Sequence, residues 1–339
     1  MRAIDWRKLL TEQRIPYIES GANVKRGELA IQCPFCGSAD PSKHLGLNLE
    51  TGWWSCWRNR SQHSGKSPLR LIMRLLRVPY GRAREIAGLG DDYVDPEGFD
   101  AIAARLMGRN QDIRPEQMDR RFLSLDREFL PITDGMRTRR YWNYLYQRGF
   151  SGSSDAGNDV DLLCQLYNLR AGTKGVWQDR IVLPYYLDGK LVTWSARAIG
   201  PATVRYRDLD LETSLLAPKD TLFNHDCIAA GGKALVILEG PFDALKIDFY
   251  GQPYGVRAVA LSTNSLKDAQ VYLLQVAADK FDRVVVMMDN KTDFGLVDSM
   301  RMKQDLFFLN AVQIQKVPYG AGDAGELTPK QVIQWAQAL

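Results

Sequence analysis

Two acids frame the chemistry of this chain. Glu239 closes an apolar run, Ala234–Leu238, and Asp289 closes another, Val284–Met288. Between them, Phe242–Tyr250 and Leu266–Ala278 have helical character, and Ala258–Leu261 reads as a further strand. Strand, helix, strand, helix, strand is the pattern of a parallel sheet with crossover helices. The C-terminal ends of such strands open into a shared crevice, so this topology predicts that Glu239 and Asp289 meet. Carboxylates gathered there repel one another unless a hard divalent cation lies between them. Mg²⁺ takes oxygen ligands and keeps waters and phosphates as the others, an arrangement suited to nucleotidyl transfer. A single strand-end acid is ordinarily just solvated. An E-G-x-x-D element followed by an apolar strand ending in Asp is much less common and favours the metal reading.

A second constellation lies near the N-terminus. Three of the five cysteines, Cys33, Cys36 and Cys56, cluster there. Cys33-Pro-Phe-Cys36 is a knuckle whose two thiolates can share one Zn²⁺, and Cys56 ends a hairpin-like segment, Leu45–Cys56, with Gly52 at its turn. Two histidines could supply the fourth ligand. His63 is preferred because it stands between the second knuckle and the next helix; His44 is the alternative. Four protein ligands make a structural site with no open position. Cys164 and Cys227 are isolated and read as packed thiols. Disulfides are not expected.

The elements that must position these groups follow from composition and pattern. The chain has 339 residues, enough for two or three domains. Its 45% hydrophobic and 25% charged residues are ordinary for a globular protein. No apolar run approaches the roughly 20 residues of a membrane helix, and MRAIDWRKLL has no signal core. A cytoplasmic protein is expected. The net charge of +4 is mild, but eight basic residues and no acid lie between Arg58 and Arg84, a stripe suited to phosphates. Trp53, Trp54 and Trp57 interleave with Arg58, Arg60 and Lys66. Exposed aromatics beside cations can stack single-stranded bases, while one or two of these tryptophans are expected in the ribbon core. Leu69, Ile72, Met73 and Leu76 recur at helical spacing. Gly65-Lys66-Ser67 lacks the Gly that a P-loop needs five positions earlier, so no NTPase site is assigned. Asp91–Gly98 reads as an acidic, turn-rich linker, Ala101–Gly108 as a short helix, and the segment TRRYWNYLYQRG as a helix ending at Gly149. Ile181–Leu187 and Lys190–Ala198 form a hairpin about Asp188-Gly189.

Glu239-Gly240-Pro241-Phe242-Asp243, with Asp289-Asn290-Lys291-Thr292-Asp293-Phe294-Gly295, resembles the TOPRIM domain of DnaG-type primases, topoisomerases and related nucleases. Cys-Pro-Phe-Cys, then Pro41-Ser42 and Trp-Trp-Ser-Cys-Trp, resembles the zinc-binding domain of the same primases, and Gly65–Gly88 the helices after it. Tyr144-Leu145 with Arg148-Gly149-Phe150 resembles the element that opens their catalytic core. The hairpin Asp179–Gly200 resembles their R-I-x-x-P motif, with Ala196 where Gly usually precedes the Arg.

The resemblance implies residues 1–90 as a zinc-binding domain, 91–120 as a linker, 121–232 as the N-terminal part of a primase core, and 233–339 as a TOPRIM domain. The fold class is multidomain, α+β and α/β. It implies Glu239, Asp289 and Asp293 as catalytic magnesium or manganese ligands, and Arg180, Arg197 and Lys219 as the family's basic groups for nucleotide and template. The family's D-x-D is altered: Lys291 stands two after Asp289, and the next acid is Asp293. Either an insertion slides Asp293 into the second role, or a ligand is lost. Asp243 would hold the helix start, and Asp323, preceded by Gly322 rather than the usual Lys, would be the later acid. The implied activity is RNA primer synthesis on single-stranded DNA from ribonucleoside triphosphates, with a separate helicase as partner, in a compact protein of phage or plasmid type. A TOPRIM nuclease and a non-catalytic single-strand-binding replication factor are the alternatives.

Overall fold

The computed structural model describes residues 4–22, 24–36, 42–60, 63–78, 80–89, 93, 95, 123–126, 128–151, 159–275, 277, 280–290, 299–300, 302–303, 305–309 and 311–339. Lys291 and Asp293, most of the expected linker, and the helix expected at Ala101–Gly108 lie outside them. The chain divides into two units, Met1–Asn110 and Gln111–Leu339.

The first unit is a five-stranded antiparallel meander beside short helices. Helix α1 (Trp6–Glu12) precedes β1 (Tyr17–Ile18), β2 (Glu28–Ile31), β3 (Leu45–Asn48), β4 (Trp54–Cys56) and β5 (Ser64–Gly65), which lie in chain order in the sheet. Helices α2 (Pro68–Leu76) and α3 (Tyr80–Ile86) follow. The β3–β4 turn is local chemistry: Asn48 Oδ1 accepts from Glu50 N and Thr51 N, and Gly52 adopts φ +72°. Leu29, Ile31, Leu45, Leu47 and Trp54 form the buried strand face, and Leu69, Ile72 and Met73 bury one side of α2. Ser67 caps α2, accepting from Arg70 N at 3.1 Å and donating to Asp95 Oδ2 at 2.6 Å. Asp95 is fully buried. Within the expected linker, this carboxylate is paired with a buried hydroxyl and is part of the packing of the first unit.

The second unit holds two sheets. Strands β6 (Leu130–Pro131), β7 (Arg170–Gly172), β8 (Arg180–Leu187), β9 (Lys190–Ala198) and β10 (Tyr206–Asp208) make an antiparallel sheet in the order β10-β9-β8-β7-β6. Helices α4 (Arg139–Gln147) and α5 (Asp159–Leu166) lie between β6 and β7 in the chain. The β8–β9 turn is as expected: Asp188 and Gly189 both take positive φ, and Asp226 accepts both of their N–H groups. Then come β11 (Gly232–Leu238), α6 (Pro241–Gly251), β12 (Val256–Ala260), α7 (Asp268–Gln275), β13 (Phe281–Val286), β14 (Val312–Ile314) and α8 (Pro329–Ala338).

Strands β11–β14 form a parallel sheet in the order β12-β11-β13-β14. The expected third strand, Val284–Met288, lies three residues earlier at its start and ends at Val286, although Met287 N still reaches Ile237 O at 3.0 Å. Strand β14, three half-buried or exposed residues, was not assigned from the sequence, where Val312-Gln313-Ile314 is too short an alternation to stand out. A buried carboxylate ties this layer together. Asp248 accepts from Arg257 at 2.8 and 3.0 Å, from Ala258 N at 2.8 Å and from Tyr167 Oη at 2.7 Å. Among the described residues no helix is long and apolar enough to cross a membrane.

Candidate functional site

In the first unit, Cys33 leaves β2, Cys36 closes the knuckle, Cys56 ends β4 and His63 precedes β5. Cys56 N donates to His63 O at 2.8 Å, so the β4–β5 pairing delivers the last two ligands side by side. The four ligand atoms lie within 4.8 Å of one another. Cys36 Sγ is 3.8 Å from Cys56 Sγ and 3.2 Å from His63 Nδ1, and Cys33 Sγ is 3.7 Å from that nitrogen. A tetrahedral ion with Zn–S near 2.3 Å and Zn–N near 2.0 Å implies edges of about 3.5–3.8 Å. This Cys₃His group could bind zinc through Nδ1. Phe35 stacks on the imidazole (5.5 Å) and on Trp54 (5.0 Å), which fixes the ring. His44 is outside the cluster, and its carbonyl accepts from Trp57 N.

The tryptophans divide as the mixed reading expected. Trp54 is buried and donates to Ser67 O at 2.8 Å, while Trp53 and Trp57 are 51% and 56% exposed. Lys66 Nζ lies 4.7 Å from the Trp53 ring and Lys25 Nζ 4.9 Å from that of Trp57. Lys25 was not legible in the sequence, being 32 positions from its ring. Arg58 and Arg60 are exposed. Other members of the basic stripe support the fold: Arg70 covers the Phe35 and Trp54 rings and bonds Ser64 O, and Arg84 bonds Tyr93 O.

In the second unit, β11 and β13 are adjacent and parallel, so Glu239 and Asp289 leave neighbouring strand ends. The connections on either side of β11 run in opposite directions along the sheet, and a crevice opens at such a switch point. Asp243, in the first turn of α6, is half-buried there. Burial, with Asp323 and Asp289 nearby, pushes its carboxyl up to about 7. Gly325 N donates to Asp243 Oδ1 at 2.9 Å. A Cβ on Gly325 would stand 2.8 Å from that oxygen, 3.3 Å from Asp323 Oδ1 and 3.2 Å from Arg148 Nη2. Asp243, Asp289 and Asp323 thus lie close together with Arg148 beside them, and Glu239 leaves the adjacent strand end. An all-oxygen donor set with surplus negative charge fits a hard divalent cation. Among the described residues these carboxylates do not close to the spacing of the Cys₃His group, and Mg²⁺ binding through waters does not require them to.

The basic groups fare differently. Arg197 is buried beside this crevice, donating to Tyr144 Oη at 2.8 Å and Tyr206 Oη at 2.7 Å, its guanidinium 4.7 Å from the Phe242 ring. Arg180 is buried too, but its donors engage Ala196 O, Arg205 O and Val204 O. It holds the β9–β10 connection. Lys219 is exposed in a short 3₁₀ turn, Pro218–Asp220. Arg148 is the site residue that the sequence reading missed, although the R-G-F element containing it was the available signal. Its backbone is held from behind: the fully buried Lys246 Nζ donates to Arg148 O at 2.7 Å and Gly149 O at 2.8 Å.

No protein-family model matches the chain, and no curated protein matches it. Solved structures similar to it include primases. The zinc-binding and RNA polymerase domains of the Aquifex aeolicus primase align at 16% identity and TM-score 0.35, covering 97% of this chain and 82% of that one. The primase fragment of the bacteriophage T7 primase-helicase aligns at 14% and 0.35, covering 86% and 91%. A DnaG primase catalytic domain bound to single-stranded DNA aligns at 18% and 0.40, covering 70% and 77%. These likenesses are distant.

Proposed function

We propose that this chain is a DNA primase that makes short RNA primers on a single-stranded DNA template by divalent-cation-dependent nucleotidyl transfer. The observation that supports the reading is that Glu239 and Asp289 leave the ends of neighbouring parallel strands, with Asp289 and Asp323 close enough to the half-buried Asp243 to raise its pKa. Glu239, Asp289 and, beyond the described residues, Asp293 would hold Mg²⁺ or Mn²⁺. Such a cation activates a hydroxyl nucleophile and neutralises triphosphate charge.

The protein's own contribution is positioning and charge. Arg148, facing the carboxylates, suits triphosphate oxygens, which guanidinium groups bind through paired hydrogen bonds. Arg197 orients Phe242 and the start of α6, and Lys219 offers an exposed cation. Zinc held by Cys33, Cys36, Cys56 and His63 would set the ribbon that presents Trp53 and Trp57 with Lys25, Lys66, Arg58 and Arg60 to template bases and phosphates. The partners on this reading are single-stranded DNA, ribonucleoside triphosphates and a separate helicase.

Labelled ribonucleotides with single-stranded template and Mg²⁺ or Mn²⁺ test it. Primer products support a primase, template cleavage a nuclease, and binding alone a non-catalytic factor. Glu239→Gln and Asp289→Asn should abolish incorporation and leave template binding nearly intact. Asp293→Asn should cost a comparable amount and Lys291→Ala little. Full activity in Glu239→Gln removes the mechanism.

A further inference from the structure

The residue after Asp289 is engaged with another part of the chain. Asn290 Nδ2 donates to Val317 O and to Ala321 O, each at 2.9 Å. Its Oδ1 accepts from Val317 N at 3.3 Å, and its backbone N–H donates to Gly322 O at 2.8 Å. Two carbonyls need a donor and one N–H needs an acceptor, so only one orientation of the amide serves all three side-chain partners. The loop it grips, 317–322, contains a tight turn with Tyr319 at φ 58° and Gly320 at φ 73°. Asp323 is the next residue. On the far side, Gly322 N donates to Glu326 Oε2 at 2.7 Å and Gly325 N to Asp243. The loop is therefore pinned before Asp323 by Asn290 and after it by Asp243.

The geometry points to Asn290 as a positioning residue that sets the spacing between Asp289 and Asp323, and through it the affinity of the crevice for a divalent cation. This rests on the cation reading above. Asp289 lies three residues beyond the end of β13, and Asp323 lies on a loop with no strand or α-helix of its own. Asn290 is the side chain that ties the one to the other. Polar groups behind a metal's ligands typically change its affinity by about 10–100-fold when removed.

The test is Mn²⁺ titration of the full chain, followed by electron paramagnetic resonance without nucleotide or template. Asn290→Ala should bind Mn²⁺ about 10-fold more weakly. Asn290→Asp separates geometry from charge. It keeps the shape and one acceptor, loses both donors, and adds a negative charge that alone would tighten binding. Weaker binding in Asn290→Asp supports the inference, and unchanged or tighter binding in both variants overturns it. Asn290 is exposed, so neither change leaves a cavity, and unaltered zinc content and thermal unfolding verify the fold. Mn²⁺ binding that Asp289→Asn removes, in a chain that makes no primers, would refute the primase reading and leave this one standing. Binding indifferent to Asp289→Asn would refute both.

Discussion

Gly325 and Asp243 stand 82 positions apart and touch: the glycine N–H donates to Asp243 Oδ1 at 2.9 Å. The approach leaves no room for a side chain, since a Cβ would meet the same oxygen at 2.8 Å. That oxygen belongs to a half-buried carboxylate already held by the Gly325 N–H. Gly325→Ala should therefore displace Asp243 or the Asp323 loop. The expected outcome is a loss of nucleotide incorporation of about 10-fold or more, with zinc content and template affinity unchanged. Parallel measurement of primer yield and oligonucleotide binding checks it, and full activity would mean that Asp243 is remote from the reacting groups.

The zinc site yields a second expectation. Cys36 Sγ makes two of the short ligand–ligand approaches, to Cys56 and His63. Cys36→Ser should remove the metal and unfold much of residues 30–65, because metal binding to such a ribbon is folding free energy. His63→Ala should lower zinc occupancy and His44→Ala should not. Metal analysis of protein purified without chelators decides both, and zinc retained in His63→Ala would return the fourth position to His44.

What could be read from the sequence was whatever depends on neighbours in the chain. Asp188-Gly189 makes its turn because both residues tolerate positive φ, and Ala234–Leu238 makes a buried strand because it is apolar throughout. The Cys33, Cys36 and Cys56 spacing survives because a knuckle and a hairpin are local objects. What was missed depends on distant partners. Arg180 and Arg148 look alike in sequence, yet one turns to backbone carbonyls and the other to a crevice lined by residues from 243 to 325. Asp95 looked like a linker acid until Ser67 supplied its partner, and Asn290 looked like the middle of a motif while its contacts lie at 317–322.

Trp53 and Trp57 furnish a third test. Each is about half exposed with a lysine over its ring, as a surface for stacked bases requires. Trp53→Ala with Trp57→Ala should weaken single-strand binding by about 1–3 kcal/mol per stacked base while leaving its salt dependence unchanged, since no phosphate contact is lost. Arg58→Ala with Arg60→Ala should instead make the salt slope shallower by about one to two units. Equal salt slopes in the wild-type chain and the arginine variant would assign those arginines to solvation.

The last expectation concerns Lys246, one turn beyond Asp243 on α6. Its ammonium is buried, donates to the carbonyls of Arg148 and Gly149, and lies 4.0 Å from the Phe150 ring. The charged or titratable groups around it are Arg148, just past the end of α4, and Tyr250 from its own helix, with Asp159 of α5 beyond the Tyr250 hydroxyl. Burial first, and Arg148 second, pull its pKa from 10.5 down to about 7. Below pH 7 the lysine is protonated in both folded and unfolded chains, and this group adds no pH dependence. Between pH 7 and 10.5 the unfolded chain holds the extra proton, so stability should rise with pH across that window. Lys246→Met keeps the length of the side chain and removes the titration. Denaturant unfolding of both proteins at pH 6.5 and pH 9.5, followed through a probe in the second unit, isolates the contribution as the difference of differences, since other groups cancel. The wild-type chain should gain stability relative to Lys246→Met on going to the higher pH. Identical pH responses would mean that the ammonium keeps its ordinary proton affinity in the folded chain, its two carbonyls and the Phe150 face offsetting the loss of water.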